Sequence, residues 1–249
     1  MKRTTRNGGV KLILLFIAIL IGFVGAELLF VKYNGENVDV PSIPRQELVL
    51  GQGSDLRYTV LGDSTAVGQG ANYADGIAVR STVHLAQKSH AVRMNNYGVS
   101  GARMNDVLTR QIPQITERPD IVLISIGAND ITHFSSVSAV RNDMSGAIQQ
   151  LRRKNSSVVI IITGVPAMGS VSRFPQPLRY LAGLQTTRMN KMFTELSVQQ
   201  QVTLAPIAEK TGATFAHNHQ LFAQDNFHPN KAGYSLWVTV VNDTLDTIR

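Results

Sequence analysis

The chain has 249 residues, no cysteine, 43% apolar and 16% charged residues. That is enough for one domain with its own core plus an appendage, and it excludes disulfides, thiolate metal sites, cysteine nucleophiles and global disorder. The net charge of +7 is not a nucleic-acid signature once it is located: residues 1–32 carry +4, from Lys2, Arg3, Arg6, Lys11 and Lys32 against Glu27, and the remainder carries +3, an ordinary surface balance.

Residues 12–31 read LILLFIAILIGFVGAELLFV, with Glu27 as the one charge. About 20 apolar residues are what a helix needs to cross a bilayer. Four basic residues precede this run and only Lys32 follows closely. The positive-inside bias therefore places residues 1–11 in the cytoplasm and the bulk of the chain outside. The run is expected to be a transmembrane signal-anchor, or a cleaved signal peptide ending near Val24-Gly25-Ala26. Either way the domain is extracytoplasmic, membrane-anchored or secreted. Residues 32–55, punctuated by Gly35, Pro41, Pro44, Gly51 and Gly53, are expected to be a linker.

From residue 56 to 249 short apolar runs alternate with helical periodicity. Strands are expected at 57–61, 91–97, 120–126, 157–163 and 202–205. Helices are expected at 74–89, 104–111, 137–153 and 178–200, with a last one after Pro229 towards Ile248. The runs DIVLISI and SVVIIIT are apolar on both faces, as strands of a covered, mostly parallel sheet are. Right-handed crossovers turn five such strands into an α/β fold, a three-layer α/β/α sandwich. Its sites lie beyond the carboxyl ends of the strands.

Four polar groups fall at those ends. The first strand runs into Gly62-Asp63-Ser64-Thr65, where a tight glycine turn can present the Ser64 hydroxyl at the rim; Ser64 can equally be a helix N-cap. The second leads to Gly98-Val99-Ser100-Gly101, whose glycines allow backbone N–H groups to face a ligand or simply close a loop. The third ends in Gly127-Ala128-Asn129-Asp130, with a side-chain amide able to donate to a developing oxyanion, or an Asx turn. Near the C-terminus stands Asp225-Asn226-Phe227-His228-Pro229. Three residues of separation let the carboxylate reach the imidazole Nδ1–H and leave Nε2 to take a proton from a serine, which is otherwise a weak nucleophile.

In this order the blocks resemble those of the SGNH/GDSL hydrolase family, over roughly four-fifths of the chain. Thr65 stands where many members have leucine. The resemblance implies ester hydrolysis on a flavodoxin-like α/β/α fold without metal or organic cofactor. It implies Ser64, His228 and Asp225 as catalytic residues. It implies an oxyanion hole of the Ser64 N–H, the Gly101 N–H (with Gly98 as fallback) and the Asn129 amide. The expected partners are a lipid, carbohydrate or small-molecule ester and, through residues 12–31, a membrane; no nucleic acid is expected.

The stretch 164–178 should border the same rim, and Val165, Met168, Phe174 and Leu178 are expected either to receive an acyl group or to pack as a loop on their own sheet; His133 is expected to reach the substrate. His217 and His219 lack a third metal ligand at a matching spacing. Two other readings compete: a carbohydrate O-acetylesterase on the same machinery, and a binding module that keeps the fold without turnover. A nucleotide-binding domain using Gly62-Asp63-Ser64-Thr65 lacks a glycine-rich, lysine-bearing loop and leaves Asp225 and His228 without a role.

Overall fold

The computed structural model describes residues 6–34, 36–88 and 90–248. The expected cytoplasmic Lys2 and Arg3 and the expected helix end at Ser89 lie outside the described residues. Helix α1 (Arg6–Asn34) holds the apolar run, and its side chains from Gly9 to Phe23 are exposed. A helix apolar all round and unburied by protein suits a hydrocarbon surrounding. Residues Gly9–Glu27 are long and apolar enough to cross a membrane. Among the described residues α1 meets the domain near its end, where Val24 packs against the core and Glu27 is buried.

The domain is built on a six-stranded sheet of order β1-β3-β2-β4-β5-β6. Its strands are β1 (Leu48–Leu50), β2 (Ser54–Gly62), β3 (His90–Asn96), β4 (Ile121–Ser125), β5 (Val159–Thr163) and β6 (Thr203–Ala205). The last five are parallel to one another, in the flavodoxin-like order. All five residues of β4 are buried, which explains its unbroken run of branched residues: both faces are covered. The sheet has one strand more than the five expected. Leu48–Leu50, within the segment read as linker, pairs antiparallel with β3. Three residues are too few to carry a readable alternation, and the β3 edge supplies the hydrogen bonds that make them a strand.

Helix α3 (Ile77–Ala86) packs on α9 (Lys231–Asp246), and α8 (Ile207–His217) packs beside α9. The other group pairs α6 (Val137–Lys154) with α7 (Leu178–Gln200). Met189, Met192 and Phe193 turn one face of α7 into the core. Ser136 caps α6 by accepting from the Ala139 N–H, and Arg152, Arg153 and Lys154 close it with charges that suit the C-terminal end of the helix dipole. The short α2 (Ser64–Val67), α4 (Met104–Asp106) and α5 (Ala128–Thr132) follow strands at the carboxyl rim. The expected 104–111 helix is α4 continued as a π turn, Val107–Gln111. Helix α8, absent from the sequence reading, ends at His217, whose Nδ1 lies 2.8 Å from the Ala213 carbonyl.

Residues 36–38 lie against the domain instead of hanging free. The Gln69 amide donates to the Val38 carbonyl at 3.0 Å, and the Arg173 guanidinium donates to the Glu36 carbonyl.

Candidate active site

The turn after β2 is set by packing at one atom. Gly62 has φ +141°, and a Cβ there would stand 1.8 Å from the Ser125 carbonyl oxygen. Only glycine lets β2 and β4 run this close while the chain swings over the sheet rim. The buried Gln111 amide brackets the same peptide: its Oε1 accepts from the Gly62 N–H at 2.9 Å and its Nε2 donates to the Gly62 carbonyl at 2.8 Å. Asp63 then caps α2 by accepting from the Thr65 N–H, which places Ser64 at the first position of the helix. The capping role weighed for Ser64 belongs to Asp63.

The Ser64 Oγ lies 2.9 Å from His228 Nε2, and His228 Nδ1 lies 2.6 Å from Asp225 Oδ2. The second oxygen of Asp225 accepts from the N–H groups of Phe227 and His228, each at 3.0 Å. Both oxygens of this buried carboxylate are thus occupied and the loop is folded around it. Burial works to raise the Asp225 pKa, but the bonds from His228 and the two amides outweigh it and hold the carboxyl below its usual range. An ionised Asp225 fixes the orientation of the ring.

Asp63 contrasts with Asp225. It is fully buried, and burial pushes its carboxyl up to about 6 against the opposing bonds from the Thr65 N–H and hydroxyl and the nearby His228. One of its oxygens has no hydrogen-bond partner among the described residues. Thr65 donates its hydroxyl to the other oxygen at 2.8 Å and lies 2.6 Å from the Ser125 hydroxyl. The threonine that departs from the familiar pattern is therefore a member of a buried polar chain beneath Ser64.

Gly101 is exposed, at φ +83°, with open space where a Cβ would be. Among the described residues the N–H groups of Ser64 and Gly101 have no acceptor. Gly98 differs: its N–H is taken by the Asn96 side chain at 2.9 Å, so the fallback donor is already occupied. Asn129, on α5, is half-buried and spends one amide hydrogen on the Ala102 carbonyl at 3.0 Å. Its neighbour Asp130 accepts from the Met104 N–H at 3.0 Å, and burial raises its pKa.

The expected acyl-binding residues fare differently. Val165 is fully buried, with its backbone held on both sides by the Asn190 amide; it is core beneath the rim and offers no surface to a ligand. Met168 is also buried, against a cavity of about 20 Å³ that it shares with Thr65, Phe227, His228 and Trp237, room for a water and not for an acyl chain. Phe174, nearly buried, lines a larger groove. His133 is exposed at the end of α5 with Nδ1 2.9 Å from the Asn129 carbonyl. Gln111 and Gln69 were not read from the sequence. Gln69 accepts from the Ser100 hydroxyl at 2.6 Å, fixing the loop beside Gly101. A lone glutamine carries no periodic or motif signal that would have marked either.

Residues 60–236 match the family of GDSL-like lipases/acylhydrolases. A GDSL-like esterase of Mycobacterium tuberculosis is 26% identical over 187 residues, 73% of this chain and 59% of that protein. A lipase of Streptomyces rimosus is 41% identical over 80 residues, 29% of this chain and 30% of that protein. The chain thus spans well under two thirds of the length of either relative. Among solved structures, a psychrotrophic esterase from Pseudoalteromonas, inhibited by monoethylphosphonate, superposes with a TM-score of 0.60 at 18% identity, over 77% of this chain and 97% of that one. At that identity the likeness concerns the fold.

Proposed function

This chain belongs to the GDSL-like lipase/acylhydrolase family, and we propose that it is a serine esterase, held outside the membrane by α1, that cleaves carboxylic esters at Ser64. One observation carries the reading: the unbroken line Ser64 Oγ, His228, Asp225, at 2.9 Å and 2.6 Å. Both distances are within proton-transfer reach, without rearrangement.

In the proposed reaction His228 Nε2 takes the Ser64 proton as Oγ attacks the ester carbonyl. The oxyanion forms against the N–H groups of Ser64 and Gly101 and the remaining amide hydrogen of Asn129. Donors already oriented for that charge cost no reorganisation as it develops. His228 then returns the proton to the leaving alcohol. Water, deprotonated by the same ring, releases the acid and restores Ser64. Asp225 stays ionised throughout, which keeps the tautomer correct and stabilises the imidazolium.

For topology, four basic residues precede the apolar run 12–31 of a helix long enough to span a bilayer, which supports an inside N-terminus and an exported domain. Protease added to intact cells is expected to digest the domain. The catalytic reading is tested with a fluorophosphonate probe and an acetyl ester. The wild type should be labelled and active, and Ser64→Ala should lose both. Labelling that survives Ser64→Ala would move the nucleophile elsewhere; a wild type that neither labels nor turns over would leave a binding module.

A further inference from the structure

Two backbone donors of the oxyanion hole sit on separate pieces of chain. The Ser64 N–H belongs to α2, and the Gly101 N–H to the loop after β3. That loop is a turn closed by the Ala102 N–H on the Val99 carbonyl at 3.0 Å, and Gly101 at φ +83° gives it the type II form. Its two ends are pinned. The Val99 N–H bonds the Gly62 carbonyl at 3.0 Å, and the Asn129 amide bonds the Ala102 carbonyl at 3.0 Å. Its middle peptide, Ser100–Gly101, carries the N–H that the reaction needs. This is the unit that turns over between the type I and type II forms, and Gly101 has open space around it and no side chain to hold it.

Gln69 spans the distance between the two pieces. Its N–H bonds the Ser64 carbonyl at 2.9 Å, and its own carbonyl accepts from the Tyr234 hydroxyl at 2.9 Å, so its backbone is locked to that of the nucleophile. Its buried side chain accepts from the Ser100 hydroxyl on Oε1 at 2.6 Å. The other end of the amide donates to the Val38 carbonyl at 3.0 Å. A carbonyl oxygen only accepts, so Val38 dictates that Nε2 faces it and that Oε1 faces Ser100. Val38 arrives there from outside the sheet. It follows α1, whose Glu27 carboxylate accepts from the Leu178 N–H at 3.2 Å, and the Arg173 guanidinium holds the Glu36 carbonyl two residues before it.

We infer that Gln69 is a positioning residue for the oxyanion hole, holding the Gly101 N–H in line with that of Ser64 through Ser100, and that the stretch Glu36–Val38 is the brace that orients its amide. The inference rests on the esterase reading and deepens it: the segment that joins the apolar helix to the domain is part of the catalytic scaffold. Without the Gln69 amide, Ser100 loses its acceptor and the middle peptide is free to turn. One donor is then lost to the developing charge, while the line Ser64, His228, Asp225 stays in place.

The test uses the full chain and an acetyl ester. Gln69→Leu keeps the bulk of the side chain and removes both of its bonds; kcat is expected to fall about 10- to 100-fold with KM within about twofold. Ser100→Ala, at a half-buried position, should lower kcat about tenfold, and adding it to Gln69→Leu should cost at most about twofold more, because the pair acts as one unit. Arg173→Ala, which frees the Glu36 carbonyl, should lower kcat about threefold in the wild type and leave Gln69→Leu unchanged. A trifluoromethyl ketone, which closes on Ser64 as a tetrahedral oxyanion, senses the donors themselves. Its inhibition constant should rise across the variants in proportion to the fall in kcat/KM. Activity lost without that parallel rise leaves Gln69 a purely structural role and overturns the inference. So does an unchanged kcat in Ser100→Ala, which decides the matter alone should Gln69→Leu fail to fold. Wild-type kinetics in Arg173→Ala overturn the part given to Glu36–Val38. A wild type that neither turns over nor binds the ketone defeats the esterase reading itself, a separate outcome.

Discussion

The two ends of the sheet hold similar residues and differ in what those residues do. At the amino end a cleft of about 690 Å³ is lined by Asp55, Arg57, Lys88, His90, Arg118 and Asp120. Its polar groups are spent locally: Asp120 accepts from the Arg57 N–H, Arg118 donates to Asn155, and His90 lies 2.9 Å from the Ser54 hydroxyl. At the carboxyl end the cavity behind His228 holds about 20 Å³, yet Ser64, His228 and Asp225 form one line and two N–H groups beside them have no acceptor among the described residues. Volume and charge are greater at the first end; convergence on one point exists at the second. Chemistry needs the convergence, because proton transfer and oxyanion stabilisation decay within an ångström of misplacement.

Substitutions sharpen that contrast in descending order. His228→Ala should lower kcat by about 10⁶-fold, since removing one member of a triad removes nearly all that the unit does; steady-state kinetics on an acetyl ester measures it. Asn129→Ala should cost about 10²- to 10³-fold in kcat, the usual loss for one oxyanion donor.

Asp63→Asn separates stability from turnover. Burial holds the Asp63 pKa at about 6, above the unfolded value of about 3.9. Between those pH values the folded state keeps a proton that the unfolded state has released, so this group makes folding less favourable as pH rises, by roughly 3 kcal/mol once pH exceeds 6. Urea midpoints at pH 4 and pH 7 should show the variant gaining relative to wild type at pH 7. Asp225 runs the other way: its lowered pKa contributes stability above the unfolded value and loses it as pH falls through the folded one. At the amino end, His90→Ala should leave kcat/KM within about twofold; a large loss there would undo the distinction between the two ends.

The motif residues near Ser64, Gly101 and Asn129 were legible because each follows a short apolar run, and a strand buried on both faces marks its end sharply. That signal marks the turns that hold Ser64, Gly98 to Gly101 and Asn129; the Asp225–His228 loop stands out by its Asp-x-x-His spacing, and the roles of these residues follow from the family resemblance. The strand-end signal failed for Val165, since an apolar residue past a strand end reads the same whether it closes the core or lines a pocket. It failed for α8, whose Thr211 and Gly212 break an even helical pattern while packing near Phe215 and Trp237.

The chain's own pattern of apolar runs and turn residues determined the layered α/β architecture, the apolar N-terminal helix and the identity of the groups at the rim, because local periodicity and backbone preference act over a few residues. Only the tertiary structure decided that β1 completes the sheet edge, that Gln111 and Gln69 brace the turns, that Asp63 is buried near His228, and that Glu27 reaches the start of α7. Those partners are 31 to 165 residues apart in the chain. Such contacts depend on how helices and strands pack, which a single residue in the linear chain does not announce.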